Sequence, residues 1–449
     1  MKITADFSNI TGKMMPVHGF NNASRKTGYG EVLPDFLSLK PPFVRLHDTC
    51  GFFGGAHYVD IPNIFPDFNA DADDENSYDF TFTDCYIKPL AEAGIDIMYR
   101  LGVTIEHGPV KYHVYPPENP EKWADICEHI VRHYNNGWAN GFHFNIKYWE
   151  IWNEPDGLDK NIEPYGPPMW NGTAEEYYNL YCITAKRIKE LHPEALVGGY
   201  SSCFILGKFA EGRWQEGDAS YFYSFLEHIK SENAPLDFFS YHGYLGKNYI
   251  EKIEKEFSFV KNTLCDYGFS DTLIFDTEWN TNICNKETDD RRTEYYTNMR
   301  NEAGASHAAA ALYEMQRLKL DGAMFYDAQL WWEYGCLFEV PSLAKTKTYF
   351  AFSRFSEMFE LGNECFVDYP KGVYACGAKG EYAMLGISNT GDNDIPLEIE
   401  LKNISGRINI YETSKEHTNE IIYESDFMPK MKITLKSNSF VTLEIGKII

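Results

Sequence analysis

Ile146-Lys147-Tyr148-Trp149-Glu150-Ile151-Trp152-Asn153-Glu154-Pro155 is a short apolar run that carries a glutamate to its end. Leu273-Ile274-Phe275-Asp276-Thr277-Glu278-Trp279-Asn280 repeats the pattern at Glu278. Each reads as a buried β-strand with a carboxylate at its C-terminal end. Similar apolar runs recur at 15–19, 43–47, 95–101, 195–199, 238–242 and 323–327. With the first two stretches, taken as 146–152 and 273–277, they make eight predicted strands. Amphipathic segments lie between them, and the pattern predicts helices at 82–93, 120–135, 173–191, 219–231, 249–266 and 296–319. Thr173 and Glu176 form a capping box, and Pro120 after Asn119 suits the first helical position. Strands alternating with helices predict an α/β fold, a (β/α)8 TIM barrel over 14–346. Active sites of that fold lie at the C-terminal strand ends, where Glu154 and Glu278 fall on the fourth and seventh strands.

After residue 346 the period changes to two. Segments 373–378, 382–387, 395–401, 408–411 and 441–445 alternate between turns such as Gly391-Asp392-Asn393-Asp394. They predict a C-terminal antiparallel β-sandwich over 347–449, with residues 1–8 supplying an extra strand. The 449 residues are 44% hydrophobic, enough for a sizeable core, and 16% aromatic, which suits sugar-binding walls as well as packing. A net charge of −25 argues against nucleic acid and anionic membranes as partners, since both need a positive field. No run approaches the roughly 20 apolar residues that span a bilayer. The N-terminus lacks an apolar signal core, and the ten cysteines are scattered without a Cys-x-x-Cys pair. Cytoplasmic thiols are the expectation.

Two carboxylates converging among aromatic and amide groups are what cleavage of a glycosidic bond requires. One donates a proton to the leaving oxygen and the other supports the cationic sugar centre. Glu154, beside aromatics and a second carboxylate, is expected to have its pKa raised, as a general acid needs. Asn153 is placed to hold a sugar hydroxyl. Glu278 is the expected nucleophile. Asp276, two residues back, is expected to share its direction as a supporting acid or rival. Arg45 is expected to orient the nucleophile or a neighbouring acid. Trp279 and Trp331 are candidate aromatic contacts to the sugar, and Glu106-His107 a rim contact.

Tyr148-Trp149-Glu150-Ile151-Trp152-Asn153-Glu154-Pro155 resembles the acid/base motif of clan A glycoside hydrolases, specifically family 39, which includes β-xylosidases and α-L-iduronidases. Phe43-Val44-Arg45-Leu46-His47 looks like that family's second strand. Asp237-Phe238-Phe239-Ser240-Tyr241-His242-Gly243-Tyr244 looks like its sixth, and the Glu278 stretch its seventh. The resemblance implies a retaining double displacement with Glu154 as acid/base and Glu278 as nucleophile. It further implies that Asn153 binds the 2-hydroxyl and that His242 and Tyr244 line the nucleophile's side. Xylosides are the first implied substrates and arabinosides the second, and neither step calls for a metal or cofactor. The chain departs from the pattern at Asp48, which follows His47 where a small residue is usual. His47 and Asp48 are thereby placed at the terminal-sugar subsite. An acidic insertion from Asp60 to Asp79 is a second departure. Both disfavour a uronate substrate, which would need cations.

Other patterns carry less. Asp67-x-Asn69-x-Asp71 opens like a calcium loop, but Ala72 stands at the sixth position and Tyr78 at the twelfth. His129 and His133 share a helix face without the glutamate of a His-Glu-x-x-His site, and packing is the expectation. The resulting expectation is an exo-acting glycosidase on a small carbohydrate substrate. An endo-acting clan A enzyme and a non-catalytic sugar binder are the alternatives, and a homo-oligomer is left open.

Overall fold

The computed structural model describes residues 1–25, 30–49, 57–105, 110–157, 168–203, 205–210, 213–216, 219–245, 250–281, 296–330 and 334–446. After β1 (Lys2–Lys13), the chain enters a closed barrel. Its strands, in chain order, are β2 (Gly19–Asn21), β3 (Phe43–Leu46), β4 (Asp96–Leu101), β5 (Tyr148–Ile151) and β6 (Leu196–Ser202). A hairpin of β7 (Gly207–Ala210) and β8 (Arg213–Glu216) follows. The barrel then continues with β9 (Phe238–Tyr244), β10 (Leu273–Asn280) and β11 (Gly322–Phe325). Neighbours pair in parallel, as where Val44 faces Ile97 and Trp149 faces Val197. The α/β barrel expectation therefore holds. The first strand lies later than expected, at Gly19–Asn21 rather than 15–19.

By compactness the chain divides into two units. One comprises Pro42–His242 and Glu256–Glu278; the other comprises Met1–Pro41, Gly243–Lys255 and Trp279–Ile449. In the first, Phe43, Tyr148, Phe238 and Phe275 meet with ring centroids 5.4 to 6.1 Å apart. These rings come from four strands that are not all neighbours, so they meet inside the barrel and form its floor. Side chains alternate along a strand, so the residues two further on form the next layer. There β3 presents Arg45 and β5 presents Glu150, both fully buried. Aromatic packing below thus lifts a charged layer toward the C-terminal end. The helix Pro120–Asn136 is capped by Asn119, and Ala174–Leu191 begins with the capping box of Thr173 and Glu176. His133 stacks on Phe80 and bonds Asp84, and His129 bonds the Asp125 carbonyl. That pair is packing, as expected.

In the second unit, β1 joins β12 (Asn363–Asp368), β13 (Tyr374–Lys379), β14 (Ala383–Asn389), β15 (Ile395–Lys402), β16 (Ile408–Thr413), β17 (Thr418–Ser425), β18 (Lys430–Leu435) and β19 (Ser439–Ile445) in one nine-stranded sheet. The β1–β15 pairing is parallel, and the other pairings among the described residues of this sheet are antiparallel. Both arms contribute to one core, with Leu385 and Leu443 from one side and Ile399 and Leu435 from the other. A helix, Lys347–Glu360, occupies the start of the segment expected to be sheet. Its Phe352 packs on Phe20 and Phe325 of the barrel strands, while Arg354 reaches Glu444 at 2.8 Å. Among the described residues no helix is long and apolar enough to cross a membrane.

Candidate active site

Arg45 organises the charged layer. Its Nε donates to Glu150 at 2.6 Å and its Nη1 donates to Glu278 at 2.8 Å. Its Nη2 donates to Asn153 Oδ1 at 2.6 Å and to Ser201 Oγ at 3.0 Å. The Asn153 carbonyl is thereby committed to Arg45. Its buried Nδ2 has no acceptor among the described residues, so the amide offers a donor.

β5 ends at Ile151, and the chain then turns through left-handed backbone at Trp152 (φ 73°) and Glu154 (φ 48°). Such conformations cost about 1–3 kcal/mol each and persist only where the surroundings enforce them. Trp152 N bonds the Leu101 carbonyl, its indole bonds the Met169 carbonyl, and Glu154 N bonds the Ser201 carbonyl. Both neighbouring strands therefore hold the turn that presents Glu154.

His242 lies between the two glutamates, its Nδ1 2.7 Å from Glu154 Oε1 and 3.5 Å from Glu278 Oε2. One ligand-type atom from each of Glu154, His242 and Glu278 falls within 4.8 Å of the others. Such donors could hold a cation, but Arg45 and His242 already meet their negative charge. Burial pushes Glu154 up, but the hydrogen bond and charge of His242 outweigh it, leaving Glu154 below the ordinary carboxylate range. Burial also works against a charged His242, yet the two carboxylates raise it above the ordinary histidine value. The elevation expected for Glu154 is thus reversed, because the sequence could not reveal the histidine facing it.

His47 follows the end of β3, two residues beyond Arg45. Arg100 Nε donates to its Nδ1 at 3.1 Å, which makes Nε2 the protonated nitrogen. That nitrogen lies 3.5 Å from Asp48 and 3.8 Å from Glu278. Asp48, at φ 54°, also accepts from Ile105 N at 3.0 Å. Arg100 is held in turn by Asp60 at 2.8 Å, and Asp60 also receives Thr104 and His57. The acidic insertion therefore contributes one buried anchor. Asp67, Asp71, Asp74 and Asp79 of the same stretch accept from backbone N–H groups two residues on, as in Asx turns.

Two expectations change. Asp276 does not share the direction of Glu278. Phe275 belongs to the interior floor and Glu278 meets Arg45, so the two-residue alternation breaks between them. The Asp276 charge instead acts on the Tyr241 phenol, as does that of Glu256 from the helix Glu251–Tyr267. Trp279 is not a sugar contact; it is fully buried against Phe325 and Phe352. Tyr244 groups with Tyr326 and Tyr334. Trp331, Glu106 and His107 lie outside the described residues.

Several residues went unread. Glu150 and Arg100 are charges inside apolar strands, a signal that was available. Ser201 of β6, and Cys203, Asp156 and Lys111 beyond strand ends, gave none, because their contacts are made across the barrel top between separate segments. The Cys203 thiol hydrogen-bonds Glu154, and buried Lys111 adds positive charge near it. Asp156 accepts from Ser202 Oγ at 2.6 Å and Cys203 N at 3.0 Å, and burial pushes it up to about 6. An acid raised in the folded state holds its proton longer than in the unfolded chain. The wild type should therefore lose stability, on the order of 2 kcal/mol, as pH rises from about 4 through about 6. Asp156→Asn should flatten that part of the denaturation profile whatever its constant offset, and a parallel profile would refute the assignment.

A barrel presenting two facing glutamates from its fourth and seventh strand ends has the arrangement of a glycoside hydrolase. The chain belongs to glycosyl hydrolases family 39, whose model matches residues 56–299, more than half of the chain. It is 27% identical over 140 residues to a β-xylosidase of Geobacillus stearothermophilus, covering 30% of this chain and 23% of that protein. The match thus spans about a quarter of that relative's length. A glucosidase structure from Croceicoccus marinus superposes with TM-score 0.79 at 20% identity, over 100% of this chain and 99% of that one. A GH39 β-xylosidase structure from Caulobacter crescentus gives 0.68 at 16% identity, over 100% of both chains. These structural likenesses establish the fold.

Proposed function

We propose that the protein is a retaining exo-glycosidase that acts first on β-xylosides. The observation that carries this is the spacing of Glu154 and Glu278, whose oxygens come within 4.8 Å. Retaining enzymes place their carboxyls about 5–5.5 Å apart, whereas inverting ones need about 6.5–9.5 Å to admit a water. Glu278 attacks the anomeric carbon while the bond to the leaving oxygen breaks and Glu154 supplies that oxygen with a proton. The proton is held across the 2.7 Å His242–Glu154 contact. As the charge of Glu278 passes into the new bond, His242 loses an anionic neighbour and the proton shifts to Glu154. Water, deprotonated by Glu154, then cleaves the ester and releases the sugar with its configuration kept. Arg45 holds Glu278 in place, and the free Asn153 amide donor suits the 2-hydroxyl.

Side-chain exposures of 13% for Glu154 and 6% for Glu278 favour a pocket over an open cleft, and hence exo action. The catalytic role is assigned to the barrel from residue 14 through the helix Lys347–Glu360, and an accessory role to the sheet. The described cysteines are free thiols, which supports a reducing compartment such as the cytoplasm. The β-xylosidase relative favours the xyloside, and the glucosidase fold neighbour makes a glucoside the second glycone to try.

The test is hydrolysis of a panel of nitrophenyl glycosides, with the first-formed anomer read by NMR. Hydrolysis of a β-xyloside to β-xylose first supports the reading. An α-product formed first would make the enzyme inverting, and hydrolysis of internal bonds alone would make it endo-acting.

A further inference from the structure

Glu150 takes no part in the mechanism above, yet it is a fully buried carboxylate in the layer beneath the reacting groups. Its Oε2 receives Arg45, and its Oε1 has no hydrogen-bond partner among the described residues. A buried, half-satisfied carboxylate is a costly way to fill a barrel interior, and apolar side chains would fill the space above the aromatic floor at lower cost. The position therefore supplies charge rather than packing.

That charge reaches Glu278 through a single guanidinium. Arg45 stands 2.6 Å from Glu150 on one edge and 2.8 Å from Glu278 on another. An undivided guanidinium beside a carboxylate strongly favours its ionised form and costs it basicity. A less basic carboxylate is a poorer nucleophile. We propose that Glu150 is a positioning residue that shares Arg45 with Glu278 and so leaves Glu278 basic enough to attack. This rests on the reading of Glu278 as the nucleophile.

Other charged or titratable groups also face these two carboxylates. Glu278 meets Arg45 and His47 from the β3 side and His242 from β9, with Glu154 and Cys203 at the ends of β5 and β6. Glu150 meets Arg45 and feels Tyr177 of the helix Ala174–Leu191. Among these, Glu150 can be changed without altering a group that faces the sugar.

Glu150→Gln keeps an acceptor for Arg45 Nε and removes the charge. The readout is the pH profile of kcat/KM on 2,4-dinitrophenyl β-xyloside, whose leaving group needs no proton. The acidic limb should move down by roughly one pH unit and the plateau should fall about tenfold. Glu150→Asp, which retains the charge, should bring the limb back toward the wild-type position. A limb that stays at the wild-type pH in Glu150→Gln, whatever the rate, overturns the proposal and leaves Glu150 a brace for Arg45. Should Glu150→Gln fail to fold because Arg45 is left unbalanced, Arg45→Met with Glu150→Gln removes both charges. Its limb should then lie above the wild type, and a limb at or below it overturns the proposal. Labelling the wild type with 2-deoxy-2-fluoro-β-xylosyl fluoride separates the two readings. Label on a residue other than Glu278 would bring down the proposed function and this inference together. Label on Glu278 with an unmoved limb would bring down the inference alone.

Discussion

Glu278→Ala should lose turnover of an aryl β-xyloside by on the order of 10⁴- to 10⁶-fold, the range seen when a covalent nucleophile is removed. The loss should fall on kcat, with binding largely kept. Arg45 retains Glu150, Asn153 and Ser201 after the change, so the charged layer is not left with an unpaired cation. The truncation also opens space where a small anion can stand on the nucleophile's face of the sugar. Azide entering there should restore part of the rate and give the α-xylosyl azide, inverted relative to the substrate. NMR of that product is the decisive measurement, because a merely destabilised protein would yield no azide adduct. Retention of more than a few per cent of wild-type activity would show that another group attacks. Asp276 is then a poor substitute, since its charge acts on Tyr241 rather than at Arg45.

The barrel was legible because its period is local. Apolar runs of strand length between capped amphipathic segments can be read without knowing what they touch, and Thr173–Glu176 and Asn119–Pro120 cap their helices as read. The glutamates were legible for a related reason: a carboxylate at the end of a buried strand has few structural uses. What the sequence could not show is contact across the barrel. Arg45 and Glu278 are separated by 233 residues, and His242 and Glu154 by 88. The electrostatic balance of Glu154 depends on that second contact, so its expected elevation came out with the wrong sign. Asp276 and Trp279 failed for a different reason. Strict alternation along β10 was assumed for Asp276, and it breaks between Phe275 and Glu278; Trp279 follows Glu278 by one residue, so alternation itself turns it to the opposite face, against Phe325 and Phe352.

Glu154→Ala should behave differently from the nucleophile variant, and the difference tests the division of labour. General acid help is worth about 10²- to 10⁴-fold, but only where the leaving oxygen needs a proton. On an unactivated xylobioside the loss should be of that size. On 2,4-dinitrophenyl β-xyloside the first step should proceed nearly unaided, and the intermediate should accumulate because no base activates water. A burst of dinitrophenolate followed by slow turnover is the expected trace. Azide should relieve the slow phase by attacking the intermediate without a base, and it should give β-xylosyl azide, with configuration retained. His242, freed of Glu154, keeps Glu278 at 3.5 Å as its anionic neighbour but can no longer pass its proton to the leaving oxygen through Glu154. The pH profile of kcat/KM on the xylobioside, whose leaving oxygen needs the proton, should accordingly lose its basic limb. Opposite azide stereochemistry from the two variants would place one glutamate on each face of the sugar, which structural compensation by a neighbouring carboxylate could not imitate. If both gave the same anomer, or if Glu154→Ala were equally impaired on every leaving group, the acid/base role of Glu154 would have to be withdrawn.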